Sequence, residues 1–142
     1  MSENYCIFAI MGQRWVSSKH AIFNCGYHLI WCPKYRRPVL VDGVDVRLKE
    51  LLLQKAEENG WKIEKMEVMP DHVHIFIKAN PDDAPAFIVA QLKGATSFVL
   101  RTEFSFLKSK LPTLWTRSYY CETVGHISEK TIKKYIEDQK NK

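Results

Sequence analysis

The chain has 142 residues, 46% of them apolar, and a formal net charge of +5. This length suits a single domain with its own core, and the apolar fraction argues against intrinsic disorder. No apolar run reaches the roughly 20 residues of a membrane-spanning helix. The four cysteines have no C-x-x-C spacing, which is typical of thiols in a reducing compartment. We therefore expect a cytoplasmic protein without membrane contact, whose charge suits a polyanionic partner such as nucleic acid.

The predicted secondary structure combines four strands with three helices. Residues 1–18 show no regular period, so we expect a loosely ordered leader before one domain over residues 19–142. The predicted elements are a strand over 21–31, a helix between turns at 42–43 and 59–60, strands over 61–69 and 72–78, a helix over 85–108, a strand over 114–123 and a last helix over about 128–139. This order predicts an α+β, ferredoxin-like split βαβ fold, an antiparallel sheet with the helices on one face and an added C-terminal helix.

The helix over 85–108 is amphipathic in sequence. Apolar residues at helical spacing define the face that we expect to be buried. Its members are Phe87, Ile88, Leu92, Ala95, Phe98, Val99 and Thr102.

The strand that contains His72 and His74 carries the strongest functional signal. Successive strand side chains point to opposite faces, so Val73, Ile75 and Ile77 form an apolar face. The two imidazoles then stand side by side on the face that the core does not need. Two neighbouring neutral imidazoles make half of a divalent-metal site.

The last predicted helix offers the groups that such a site lacks. Ile132, Tyr135, Ile136 and Gln139 share one stripe. If this stripe packs on the open sheet face, Gln139 could complete a metal shell suited to Mg²⁺ or Mn²⁺, with Tyr135 beside it. Taken singly, a strand histidine is more often structural, a tyrosine in such a stripe is more often a core residue, and Gln139 is more often a surface residue. The pattern alone therefore leaves the nucleophile open.

Three segments resemble the IS200/IS605-type single-tyrosine transposases. Residues 27–40 are similar to their first strand and basic turn, residues 69–74 to their HUH motif (two histidines around a hydrophobic residue), and residues 128–139 to their tyrosine helix. The resemblance runs from about Lys19 to the C-terminus.

This resemblance implies a role for each matching residue. His72, His74 and Gln139 would be metal ligands, and Tyr135 the nucleophile that cuts and rejoins single-stranded DNA at element ends through a 5′-phosphotyrosine. It also implies binding of DNA hairpins at those ends, and a homodimer whose active sites are shared between the chains.

The turn after the first strand is the predicted DNA contact. Lys34, Tyr35, Arg36 and Arg37 place basic side chains around an aromatic ring, which suits phosphate contact and base stacking. Before the resemblance is considered, a solvated loop is the more common reading of such a turn.

Two other functions fit the same pattern. One is a related single-tyrosine HUH nuclease that acts on repeats or replication origins. The other is a non-catalytic nucleic-acid-binding module in which the histidines are structural or stacking groups, so that Tyr135→Phe would leave its activity intact.

Overall fold

The computed structural model describes residues 26–124, together with the backbone of Val16–Ser17 and Ile22–Phe23. The strands are β1 (Val16–Ser17), β2 (Ile22–Phe23), β3 (Gly26–Trp31), β4 (Lys62–Met69), β5 (His72–Lys78) and β6 (Tyr120–Val124), and the helices are α1 (Val44–Glu58), α2 (Pro85–Glu103) and α3 (Ser105–Lys110). The predicted last helix, with Tyr135 and Gln139, lies outside the described residues. So does the predicted leader, apart from Val16–Ser17, which pairs with β2.

The main sheet has four antiparallel strands in the order β4-β5-β3-β6. β3 and β5 are its central strands although α1 and β4 separate them in sequence. The chain order from β3 to β6 with this strand order is the ferredoxin-like arrangement, and the predicted α+β fold class is confirmed.

Strand alternation puts the core on one face of the sheet. Leu29, Val73, Ile75 and Ile77 are fully buried and join one hydrophobic cluster with apolar residues of α1 and α2. On the opposite face His28, Ile30, His72, His74 and Phe76 remain partly exposed. The sheet therefore leaves an accessible surface at the histidine strand.

α1 begins and ends where the turn residues predict. Gly43 precedes it with a φ of 97°, and Gly60 follows it with a φ of 73°. Both angles lie in the left-handed region that glycine adopts without a Cβ clash. Helix-spaced residues Leu48, Leu52 and Ala56 are buried as the period predicts.

The predicted helix over 85–108 is two helices. The chain leaves helical geometry at Phe104, whose φ is −121° and ψ is 89°. Phe104 and Phe106 both pack against the core, which a continuous helix would not allow because residues two apart point about 200° apart. The break lets both rings reach the core.

The predicted buried stripe of α2 is partly wrong. Phe98 is 77% exposed and Phe87 46% exposed. The buried residues of the helix are Ile88, Val89, Leu92, Thr96 and Leu100. The apolar residues of α2 define two overlapping helix faces, and packing against the sheet decides which face is buried.

The predicted strand over 114–123 is shorter in the structure. Only β6 joins the sheet, pairing with β3, while Trp115 forms an isolated bridge with Pro33. The Nζ atom of Lys93 donates hydrogen bonds to the carbonyl oxygens of Thr116 and Ser118, at 2.7 and 3.0 Å. These bonds hold residues 116–118, which precede β6, against α2 and outside the sheet.

Among the described helices, none has the length and apolar character needed to cross a membrane.

Candidate active site

His72 and His74 lie on the open face of β5, as the alternation predicts. Both are partly exposed, and Val73 between them is fully buried. The buried valine fixes the strand to the core, so the two imidazoles share one accessible surface. The antiparallel register places Glu67 of β4 opposite His74.

Asp71 orients the first imidazole. Nδ1 of His72 donates a hydrogen bond of 2.8 Å to Oδ1 of Asp71. This bond lowers the pKa of the Asp71 carboxyl below its usual value, and the charge of Arg36 acts in the same direction. With Nδ1 held as a donor, Nε2 of His72 keeps its lone pair for another partner.

The second imidazole contacts His28 of β3. Nδ1 of His28 and Nε2 of His74 are 3.2 Å apart, which is hydrogen-bond distance. The His28 ring stacks on Phe76, with centroids 4.9 Å apart and planes at 24°. His28 is therefore held between a candidate ligand and an aromatic ring on the same face.

An open hollow of about 190 Å³ adjoins His74. It combines imidazole, carboxylate and ammonium groups with an aromatic wall. The residues that line it are His28, Lys65, Met66, Glu67, His74 and Phe76.

The two candidate ligands fit a divalent cation in their chemistry and need further donors. Each of His72 and His74 has one ring nitrogen in a hydrogen bond within the described residues, which leaves the other for a cation. No group of three or more His, Cys, Asp or Glu side chains within residues 26–124 could hold a metal ion. The predicted third ligand, Gln139, lies beyond that range, as does Tyr135.

The predicted DNA-contact turn is an exposed one. Lys34–Arg36 form a tight turn that is not regular helix, because Tyr35 and Arg36 have φ values of 58° and 52°. Two successive left-handed residues that are not glycine are strained, and such strain is concentrated at functional sites. The ring of Tyr35 is 66% exposed, and Nζ of Lys34 lies 5.5 Å from its centroid.

One ion pair connects this turn with the histidine strand. Nε of Arg36 lies 3.2 Å from Oδ2 of Asp71, the same carboxylate that receives the hydrogen bond of His72. The backbone N–H of Leu40 also donates to the carbonyl of Pro70, at 3.0 Å. The basic turn and the two imidazoles thus lie at one end of the sheet.

The contacts that His28 and Asp71 make with the two imidazoles were not predicted from the sequence. The predicted fold contained a signal for His28, because a split βαβ sheet pairs its first strand with its third, and alternation puts His28 on the face of His74. Asp71 directly precedes His72, but whether its carboxylate turns back to the imidazole depends on the corner between β4 and β5.

Comparison with known proteins identifies the family. The sequence model of IS200-like transposases matches residues 21–139, a stretch that includes β5 and the basic turn. The chain belongs to this family of insertion-sequence transposases.

Two relatives cover most of the chain. The ISDra2 transposase TnpA of Deinococcus radiodurans is 43% identical over 123 residues, which are 85% of this chain and 88% of that protein. The transposase of insertion sequence IS200 from Salmonella typhimurium is 32% identical over 125 residues, 87% of this chain and 82% of that protein. The chain is therefore similar over nearly its whole length to enzymes of DNA transposition.

Solved structures support the same fold. A crystal structure of a candidate transposase from Deinococcus radiodurans superposes with a TM-score of 0.71 at 38% identity, covering 87% of this chain and 97% of that one. A REP-associated tyrosine transposase bound to a REP hairpin superposes with a TM-score of 0.55 at 14% identity, covering 87% and 67%. The second likeness concerns the fold alone.

Proposed function

We propose that this transposase cuts and rejoins single-stranded DNA at the ends of its element through a covalent 5′-phosphotyrosine on Tyr135. The observation that carries the proposal is the pair His72 and His74, side by side on an open sheet face in a chain of this family. Both imidazoles are held by hydrogen bonds. An HUH pair buried in the core would not support it.

The reaction consists of two transesterification steps. The phenolic oxygen of Tyr135 gives up its proton and attacks the scissile phosphorus. The bond from phosphorus to the 3′-oxygen breaks, and that oxygen takes up a proton to become a 3′-OH. A 3′-OH of another strand then gives up its proton and attacks the phosphotyrosine. The bond from phosphorus to the tyrosine oxygen breaks, and that oxygen takes up a proton, which restores the phosphodiester and the free phenol. The bond energy stays in the protein–DNA link, so the exchange needs no ATP.

His72, His74 and Gln139 would hold Mg²⁺ or Mn²⁺ at this site. A phenol has a pKa near ~10, which makes it a weak nucleophile unaided. A divalent cation would withdraw charge from the scissile phosphate and help to align it. Asp71 keeps His72 in the tautomer that presents Nε2, since its carboxylate holds the Nδ1 proton.

Lys34, Tyr35, Arg36 and Arg37 would bind the DNA beside the cleavage point. The partly exposed Lys34 and the exposed Arg36 and Arg37 suit phosphates. The exposed ring of Tyr35 suits an unpaired base. The family resemblance supports hairpins at the element ends as substrate, and a homodimer in which the tyrosine helix of one chain serves the histidines of the other. The cysteine spacing favours a cytoplasmic location.

The test is a covalent adduct on labelled single-stranded hairpin DNA from the element ends, resolved on a denaturing gel. We expect an adduct with Mg²⁺ or Mn²⁺ that EDTA prevents and Tyr135→Phe abolishes. Tyr120→Phe is the matched control, because Tyr120 is 55% exposed and pairs with Ile30 beside the histidines. The proposal is contradicted if the adduct is lost in Tyr120→Phe, or if the wild-type protein forms no adduct at all.

Excision and reinsertion of an element separate this function from nicking alone. A supplied donor strand carrying both ends should be excised and resealed by the wild-type protein. Nicking at repeats without joining would instead identify a related nuclease. Hairpin binding that is unchanged by Tyr135→Phe, with no strand cut by the wild-type protein, would identify a binding module.

A further inference from the structure

We propose that His28 is a positioning residue that holds the Nε2 proton of His74 and thereby presents Nδ1 of His74 to the cation. This inference rests on the proposed metal role of His74. It concerns a residue of β3, outside the HUH motif and the tyrosine helix.

The register of the sheet brings the two rings together. His28 pairs with Phe76 and Ile30 pairs with His74, so His28 and His74 are diagonal neighbours on one face. Diagonal side chains of adjacent antiparallel strands are within reach of each other. Nδ1 of His28 and Nε2 of His74 accordingly approach to 3.2 Å.

The His28 ring is fixed from its other side. It lies nearly parallel to the ring of Phe76, with centroids 4.9 Å apart. Phe76 itself is partly buried on the same strand as His74. A stacked imidazole has fewer accessible orientations, so the His28 nitrogen is aimed at one point.

A contact between two ring nitrogens constrains the protons. Two lone pairs facing each other at this distance would repel, so one nitrogen must carry the hydrogen. A neutral imidazole has one N–H, and a metal ligand must keep a lone pair on its coordinating atom. If Nε2 of His74 donates to Nδ1 of His28, then Nδ1 of His74 is the free lone pair.

The other HUH histidine is held in the same manner by a different neighbour. Asp71 accepts a hydrogen bond from Nδ1–H of His72, which leaves Nε2 free. In the proposed tautomer His28, 3.2 Å away, accepts a hydrogen bond from Nε2–H of His74, which leaves Nδ1 free. Histidines that bind metals usually donate their second nitrogen in this way, and loss of the partner typically weakens metal binding by 10- to 100-fold. The two ligands would therefore use opposite ring nitrogens.

Binding of Mn²⁺ alone tests the role of His28 without reference to activity. Free Mn²⁺ is measured by electron paramagnetic resonance during titration of the full chain. His28→Phe keeps a ring on Phe76 but removes both nitrogens, and we expect it to bind Mn²⁺ about 10- to 100-fold more weakly. His28→Asn places an amide oxygen near the position of Nδ1, and we expect it to restore most of the affinity.

Different results would overturn the role of His28 and the proposed metal site. Equal Mn²⁺ affinity of wild type and His28→Phe would overturn the role of His28, and so would tighter binding by His28→Phe, which would mean that His28 competes for the ligand atom. With either result, a DNA adduct on Tyr135 that still requires metal would leave the proposed function intact. Absence of Mn²⁺ binding to the wild-type chain would overturn both this inference and the proposed metal site.

The tautomer gives a second test in the metal-free protein. Long-range ¹⁵N–¹H correlation spectra distinguish Nδ1–H from Nε2–H imidazoles. We expect His74 to carry its proton on Nε2 in the wild type and to lose this preference in His28→Phe, while Tyr120→Phe leaves it unchanged. A proton on Nδ1 of His74 in the wild type would overturn the inference.

Discussion

The ring of Phe76 occupies the space that a side chain at Gly26 would need. A Cβ built at Gly26 would lie 2.5 Å from Cε2 of Phe76 and 3.2 Å from the carbonyl oxygen of Ile77. The absent side chain lets Phe76 lie over β3, where its ring stacks on His28. A glycine at the start of β3 thus supports the arrangement of the histidines two strand positions away.

Gly26→Ala should therefore destabilise the protein and disturb the His28–His74 contact. Overpacking of this kind typically costs about 1–3 kcal/mol, measured as the free energy of unfolding in urea. Phe76→Leu should remove most of the penalty, because the smaller side chain leaves room for the new methyl group. Additive losses in the double variant would contradict this explanation.

Asp71→Ala should weaken Mn²⁺ binding by about 10- to 100-fold, because it removes the acceptor of the His72 Nδ1 proton. Asp71→Asn keeps a neutral acceptor oxygen and should lose less. Asp82→Ala is the control, since Asp82 is also exposed and acidic but lies beyond β5. Equal losses in the Asp71 and Asp82 variants would indicate a general effect of negative charge.

Thr96→Val should lower the free energy of unfolding by about 1–3 kcal/mol, because a buried donor loses its acceptor. Nε1 of Trp115 donates to Oγ1 of Thr96 at 3.0 Å, and Thr96 is fully buried. Thr96→Ser retains the hydroxyl and should lose less. Thr102→Val, on the exposed side of α2, should change stability by less than about 0.5 kcal/mol.

Because of Lys93, the free energy of unfolding should increase as the pH is raised in the alkaline range. Burial lowers the pKa of Lys93 below its ordinary value of 10.5, against a smaller opposing effect of Cys32. Between the lowered folded pKa and 10.5 the unfolded chain binds more protons than the folded one, so stability increases with pH there. The unfolding free energy of the wild type minus that of Lys93→Met should rise algebraically across this window in urea titrations, because Met does not titrate. If the wild-type value minus the variant value stays constant or falls with pH, the buried-charge explanation is contradicted.

Variants of the basic turn should distinguish the contribution of charge to DNA affinity from that of base stacking. Arg37→Ala should weaken binding to single-stranded DNA and reduce its salt dependence, by about 0.7 in the log–log slope for one lost phosphate contact. Tyr35→Leu should cost about 1–3 kcal/mol if one base stacks on the ring, with an unchanged salt slope. Tyr35→Phe, which keeps the aromatic ring, is the control. Fluorescence anisotropy over a salt series measures both quantities.

Much of the fold follows from local patterns. The alternation of β5 identified its buried face and placed His72 and His74 on the other. The turns at 42–43 and 59–60 bounded α1, and the order of elements predicted the sheet. These features depend on residues a few positions apart, so the sequence by itself contains them.

The remaining features depend on which segments meet in space. Phe104 interrupts the second helix because two nearby rings reach the same core, and the buried side of α2 was selected by the sheet. His28 and His74 are 46 residues apart in the chain, and only the pairing of β3 with β5 makes them neighbours. The sequence determined the family, the fold class and the candidate ligands by local period and motif, while tertiary structure decided which ring nitrogens are held, because strand register is set by packing across the whole sheet.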